Sequence, residues 1–260
     1  MKFRTSSGLA LNYKTRGRGR TILLCHPIGM RAAFWDDVML ALEDEYRTIA
    51  VETRGHGESD VPTKAFSLTD CAQDMAELVR AVGQGPVIAA GCSMGGMIVQ
   101  AMMARTPDVL RGGVIANTGH RRDDAGRAML EQRAVTAEKG MPEILPTTLT
   151  RWFSSDVQGL RPDLVLRARD WLLENDPIVH AWSWRAIRDL NYADDLAKTK
   201  IPAMAIAGTH DQATPMPAMQ DMVASIPGCL YREFKTGHMT PMEEPKGFAD
   251  ALRDFARGLA

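Results

Sequence analysis

Three residue types that cooperate in acyl chemistry stand at the ends of apolar runs. They are Ser93 in Gly91-Cys92-Ser93-Met94-Gly95-Gly96, Asp211 in Gly208-Thr209-His210-Asp211, and His238 in Thr236-Gly237-His238-Met239. A serine hydroxyl is a weak nucleophile near neutral pH. A histidine within hydrogen-bond reach can take its proton, and a carboxylate on the other ring nitrogen fixes the tautomer. The order Ser, Asp, His is the one used where the nucleophile sits on a strand-to-helix corner of an α/β sheet. Asp194, Asp195, Glu243 and Glu244 are alternative acids. His210 neighbours Asp211 but would point elsewhere.

Such chemistry needs elements that bring three distant residues to one edge. The pattern Gly-x-Ser-x-Gly alone is weak, and its setting gives it meaning. Residues 86–91 read as a buried strand, and 94–105 as a helix. A residue at that corner is forced into a strained backbone conformation, and glycines two places away relieve crowding. The corner lifts the Ser93 side chain above the carboxyl edge of a sheet, where ligands bind in open α/β folds, and the helix N-terminus is aimed at the same spot.

Further short strands are read at 21–25, 47–52, 112–117, 202–208 and about 229–234, with helices at 33–43 and 67–82. Ser67 and Asp70 form a capping box for the second helix. A final helix runs to the end. Strands alternating with helices predict a mostly parallel central sheet flanked by helices. Met94, Met97, Met102 and Met103 are read as core filling.

An oxyanion needs two donors. Met94, just after the serine, offers one amide. The loop after the 21–25 strand offers the other at Ile28, because Pro27 has no N–H. His26 and His56 read as structural supports of their loops, and His120 as a pocket-lining residue. From 119 to 199 the strand pattern lapses into helical spacing with Trp152, Trp171, Trp182 and Trp184. This predicts a core of 1–118 and 200–260 carrying a helical cap, or lid, at 119–199. Arg133, Arg151, Arg185 and Arg188 are candidates to bind a substrate carboxylate, and Trp152, Trp182 and Trp184 to wall the acyl site.

A chain of 260 residues with 45% apolar and 24% charged residues is ordinary globular usage, and a net charge of −1 argues against nucleic-acid or anionic-membrane binding. Lys14, Arg16, Arg18 and Arg20 alternate with Gly17 and Gly19 and read as a solvated hairpin turn. Cys25, Cys71, Cys92 and Cys229 form no CxxC, and they read as reduced, buried thiols of a cytoplasmic protein. The N-terminal stretch has no signal-peptide core, and no apolar run is long enough to span a bilayer. No metal-ligand spacing, phosphate loop or dinucleotide fingerprint is present, so no cofactor is expected.

The stretches Thr53–Asp60, Gly91–Gly96, Ala207–Pro215 and Gly237–Pro245 resemble the α/β-hydrolase superfamily over almost the whole chain. Arg54–Pro62, Ser93–Met97, Arg151–Phe153, Ala186–Asp189 and Ala207–Pro215 bring it closest to the 3-oxoadipate enol-lactonase group. The resemblance implies an α/β-hydrolase fold and a cofactor-free serine hydrolase of a small ester or lactone, with Ser93, Asp211 and His238 as its triad. Carbon–carbon bond hydrolysis and perhydrolysis use the same triad, and a ligand-binding module that keeps the pocket while turnover is slow or lost, as in hormone receptors resembling this fold, is a further alternative. Two departures touch the pocket. The group has Asn-Ser-Leu-Gly where this chain has His26-Pro27-Ile28-Gly29, and a tryptophan within 119–132, where this chain offers Met129. They bear on the substrate, not on the reaction class.

Overall fold

The apolar runs pair side by side. In the computed structural model, which describes residues 1–259, eight strands form one sheet. They are β1 (Lys2–Arg4), β2 (Ala10–Arg16), β3 (Arg20–Cys25), β4 (Tyr46–Val51), β5 (Val87–Cys92), β6 (Leu110–Ala116), β7 (Ala203–Gly208) and β8 (Leu230–Phe234), in the order β1-β2-β4-β3-β5-β6-β7-β8. The pairs β1–β2 and β2–β4 are antiparallel and the remaining pairs are parallel. Every residue of β5 and β7 is buried, as expected where helices cover both faces of a parallel sheet.

The helices are α1 (Asp36–Leu42), α2 (Leu68–Val82), α3 (Met94–Arg105), α4 (Asp124–Ala137), α5 (Met141–Trp152), α6 (Ser155–Leu160), α7 (Pro162–Leu173), α8 (Pro177–Arg188), α9 (Ala193–Ala197), α10 (Met216–Ser225), α11 (Thr240–Glu243) and α12 (Pro245–Gly258). Adjacent glycines on β6 show how the layers close. A side chain at Gly112 would strike Phe255 and Leu259 at the end of the chain, and one at Gly113 would strike Met103 and Val99 of α3. Successive strand residues face opposite sides, so α12 and α3 lie on opposite faces, close against the sheet. The methionines Met94, Met97, Met102 and Met103 are all buried in this packing. Ser67 and Asp70 make both halves of the capping box on α2.

The structure differs from expectation in places. The strands β1 and β2 precede the first strand read from sequence, and α10 stands between β7 and β8. The run Lys14–Arg20 is not a hairpin, because β4 lies between β2 and β3. Two of its four charges are answered by the α1 region: Lys14 pairs with Asp36 at 3.0 Å, and Arg16 pairs with Glu43. Cys229 is half-buried, whereas the other three thiols are fully buried. Between β6 and β7 the chain runs through α4–α9, with only an isolated bridge between Arg121 and Asn191.

Three buried histidines meet where α8 rests on the sheet edge. The ring centroids of His26 and His56 are 5.1 Å apart, and Gly29 leaves room for His180. His26 Nδ1 donates to the Pro27 carbonyl at 2.7 Å while Nε2 accepts from the Thr53 amide at 3.0 Å, which holds a neutral tautomer. Burial pulls His26 down to about 4 and both His56 and His180 down to about 3. Each then binds a proton when unfolded that it refuses when folded. Their contribution to stability is full above pH 6.5 and is lost as pH falls through the window to about 3. Near pH 5 three such groups give a slope of about 4 kcal/mol per pH unit. Neither ring nitrogen of His180 has a hydrogen-bond partner. His180→Phe is therefore expected to fold and to lower the slope near pH 5 by about 1.4 kcal/mol per pH unit, as read from urea melts across pH 4.5–7. An unchanged slope would mean that His180 is already charged in the native protein.

Candidate active site

The corner between β5 and α3 holds Ser93 at φ 54° and ψ −119°, a conformation rare for any residue with a side chain. Three contacts keep it there. The Ser93 amide donates to the Ala116 carbonyl at 2.8 Å, tying the corner to the end of β6. A Cβ at Gly91 would lie 2.1 Å from the Gly95 carbonyl oxygen, and one at Gly95 would lie 1.9 Å from that of Cys25. The glycines thus let α3 begin directly against β3 and β5.

Asp211 follows β7 and His238 follows β8. His238 Nδ1 and Asp211 Oδ2 are 2.8 Å apart, and both residues are buried. Oδ2 also accepts from Asn117 Nδ2 at 3.2 Å, while Oδ1 accepts from the amides of Ala213 and Thr214 at 2.7 and 2.9 Å. With both oxygens occupied by donors, Nδ1 is the protonated ring nitrogen and Nε2 keeps its lone pair. His238 and Ser93 line the same cavity. The other candidate acids go elsewhere. Asp195 pairs with Arg105 at 2.8 Å, Asp194 and Glu244 are exposed, and Glu243 accepts from the Gly237 amide at 2.9 Å and from Ser154 Oγ. Glu243 thereby steadies the His238 loop, and its acidity is weakened by burial. The His238 amide also donates to the Trp152 carbonyl at the end of α5, at 2.8 Å.

Asn117 was not anticipated. It sits fully buried at φ 51°, its amide donating to Ile206 O and its side chain to both Asp211 and the Gly237 carbonyl. The available signal was a polar residue closing the apolar run of β6, at the edge where Asp211 and His238 also lie.

The Ile28 and Met94 amides donate to no described group. Ile28 lines the cavity, which has a volume of about 770 Å³. Trp152 and Trp184 form part of its wall. Arg133 enters it with its guanidinium 5.1 Å from the Trp184 ring centroid, and Arg151 enters beside it. Arg121 and Arg122, unforeseen from sequence, complete the basic lining, with Arg121 neutralised by Asp221 at 2.8 Å. Met129 reaches the cavity as well.

Four candidates, Trp182, Arg185, Arg188 and His120, do not line the cavity. Arg188 and Arg185 pair with Glu131 on α4, at 2.6 and 2.9 Å, and serve to join α8 to α4. His120 is buried behind the lining, 3.9 Å from Asp221. His26 and His56 support their loops as described. Among the described residues no cluster of His, Cys, Asp or Glu could hold a metal ion, and no helix is long and apolar enough to cross a membrane.

The chain has relatives of known activity. It is 24% identical over 250 residues to 3-oxoadipate enol-lactonase 2 of Acinetobacter baylyi, covering 95% of this chain and 93% of that one. It is 29% identical over 209 residues to (E)-2-((N-methylformamido)methylene)succinate hydrolase of the same organism, covering 79% and 78%. The crystal structure of the enol-lactonase from Burkholderia xenovorans LB400 superposes with a TM-score of 0.91 at 25% identity, covering 99% of this chain and 100% of that one. These relatives are hydrolases. The sequence profile of the alpha/beta hydrolase fold matches residues 20–245, and the chain belongs to that family.

Proposed function

We propose that this hydrolase cleaves a small carboxylic ester or lactone through an acyl-enzyme on Ser93, with an enol-lactone as its reference substrate. The observation that carries the reading is that His238, paired with Asp211 at 2.8 Å, lines the same cavity as the strained Ser93. His238 Nε2 takes the Ser93 proton as Oγ attacks the carbonyl carbon. The amides of Ile28 and Met94 hold the negative oxygen of the tetrahedral intermediate, where one such donor is worth about 2.7–4 kcal/mol of barrier. As the C–O bond breaks, the imidazolium gives its proton to the leaving oxygen. In a lactone that oxygen stays attached to the acyl chain. Water, deprotonated by His238, then releases the acid and restores Ser93. Asp211 holds the imidazole tautomer throughout, and Asn117 holds Asp211.

The helices between 119 and 199 act as a lid over the 1–118 and 200–260 core in this reading. The hydrogen bond from His238 to Trp152 ties lid position to the base. Support also comes from the enol-lactonases among the relatives. The reading calls on no cofactor.

The test is hydrolysis of p-nitrophenyl acetate, simple lactones and 3-oxoadipate enol-lactone, with mass spectrometry of quenched enzyme. Turnover with an acyl adduct on Ser93 is the expected result. Cleavage confined to diketone C–C bonds would replace ester chemistry on the same residues. Tight ligand binding without any turnover would replace the enzyme by a receptor.

A further inference from the structure

The basic residues of this chain divide sharply. On and around the lid, Arg121, Arg127, Arg185 and Arg188 are each tied to a carboxylate. Arg122, Arg133 and Arg151 form no ion pair with any described residue, and all three line the cavity that holds Ser93. Arg122 donates to the Arg121 carbonyl at 2.9 Å, and Arg133 leans on Met129 Sδ and the Trp184 ring. They are half-buried, so water compensates them incompletely. Burial lowers the basicity of all three. Arg133, which also feels Arg151 and Arg122, is drawn down to about 10. Three like charges held together without partners cost stability unless an anion joins them.

The charge of the lining sets how much anion is missing. Four arginines face two aspartates there. Asp221 is spent on Arg121, and Asp123 caps α4 by accepting from the Gly126 amide at 2.8 Å. A surplus of two positive charges remains. Arg133 comes from α4, Arg151 from α5 and Arg122 from the loop after β6, so the guanidinium groups approach from separate elements. Guanidinium groups bind carboxylates through paired N–H donors in fixed geometry.

We infer that the cavity is built for a substrate bearing two carboxylate groups besides the reacting carbonyl, held by Arg122, Arg133 and Arg151. This rests on the serine-hydrolase reading for the identity of the reacting carbonyl, but the binding of the two carboxylates can be measured without turnover. The carboxylates orient the acyl compound so that its ester or lactone carbonyl meets Ser93, and binding energy from groups remote from the reaction is available for that orientation.

The experiment uses the whole protein and inert ligands. Glutarate and succinate, with butyrate and acetate as monoanionic controls, are titrated calorimetrically and tested as inhibitors of p-nitrophenyl acetate hydrolysis. A dicarboxylate is expected to bind at least about tenfold more tightly than its monocarboxylate control, with an affinity that falls as salt rises. Arg133→Gln and Arg151→Gln should each weaken it by about tenfold or more. Arg127→Gln, on the paired outer side of α4, should leave it unchanged. The two cavity variants should also melt at or above the wild-type temperature without ligand, because they relieve repulsion. Equal binding of mono- and dicarboxylates overturns the inference, as does undiminished dicarboxylate binding in the Arg133→Gln, Arg151→Gln double variant. Tighter binding of inorganic phosphate than of any dicarboxylate also overturns it, in favour of a phosphorylated substrate. Dicarboxylate binding by an enzyme that never hydrolyses the ester would overturn the hydrolase reading and leave this one standing.

Discussion

Ser93→Ala is expected to lower turnover about a million-fold, the order seen when the serine of such a triad is removed, while the protein still folds. The variant keeps the cavity, the His238–Asp211 pair and the free amides of Ile28 and Met94, so ligand binding should survive. More than about one per cent residual turnover, measured with enzyme freshly purified free of wild type, would put the nucleophile elsewhere. Ser93→Gly sharpens the test. At φ 54° and ψ −119° a residue with a Cβ carries strain of about 1–3 kcal/mol, which glycine does not. Glycine costs about 0.5–1 kcal/mol in chain entropy. The net expectation is a gain of about 1 kcal/mol for the glycine variant over alanine. An inactive variant that is more stable would show that the backbone strain is kept for the reaction and not for the fold. Equal stability of the two variants would remove strain from the account.

How far this site could be read from sequence depends on the range of the interactions that build it. Ser93, Asp211 and His238 each close a short apolar run. A parallel sheet brings the carboxyl ends of its strands to one edge, so their meeting follows from topology alone. The arginines do not follow in that way. Whether Arg188 faces a ligand or a neighbouring helix depends on which helix packs against α8. That neighbour is α4, whose Glu131 lies 57 residues earlier in the chain. Helical periodicity identifies an apolar stripe but not the partner that covers it. Arg122 and Asn117 lie in irregular chain after β6, where periodicity says nothing. The missed strand β2 is half-exposed, Ala10 to Tyr13 turned largely inward and Lys14 to Arg16 in solvent, so its pattern breaks midway. The misread turn at Gly17–Gly19 has hairpin composition, and only the insertion of β4 between its flanking strands reveals otherwise.

The two outcomes for the arginines and for Ser93 concern different parts of one cavity. Ser93, His238 and Asp211 are held by backbone at strand ends, with several hydrogen bonds to each. Arg122, Arg133 and Arg151 come from the loop after β6, from α4 and from α5, and form no ion pair with any described residue. In the proposed reading, chemistry falls on the residues at the strand ends and selection on the helical segment joined to them through Trp152. Substitutions in the lid are therefore expected to act on KM, and those at the strand ends on kcat.

Gly95→Ala should leave little or no folded protein. The helix α3 starts so close to β3 that a methyl group at position 95 would lie 1.9 Å from the Cys25 carbonyl oxygen, 2.5 Å from its carbon and 2.9 Å from the His26 oxygen. These are backbone atoms. Cys25 is paired with β4 on one side and with β5 on the other, so it cannot withdraw without breaking the centre of the sheet. A flexible side chain could turn aside at small cost, but this strand cannot. The alternative is for α3 to lift, which would draw Met94 and the Ser93 corner away from the Ile28 loop and open the tightly packed interior. Loss of more than about 4 kcal/mol is expected, from the same overpacking that makes core insertions costly. Gly159→Ala is the control. That glycine lies in α6, has no atom within 4 Å of an added methyl and adopts no left-handed backbone. Alanine there should be neutral or stabilising by up to about 1 kcal/mol, through helix propensity alone. Soluble yield and urea melts of the two variants separate the effects. A folded Gly95→Ala variant with near-normal stability would mean that α3 can slide along β3. The fixed position of Ser93 would then need another cause than the close seating of that helix.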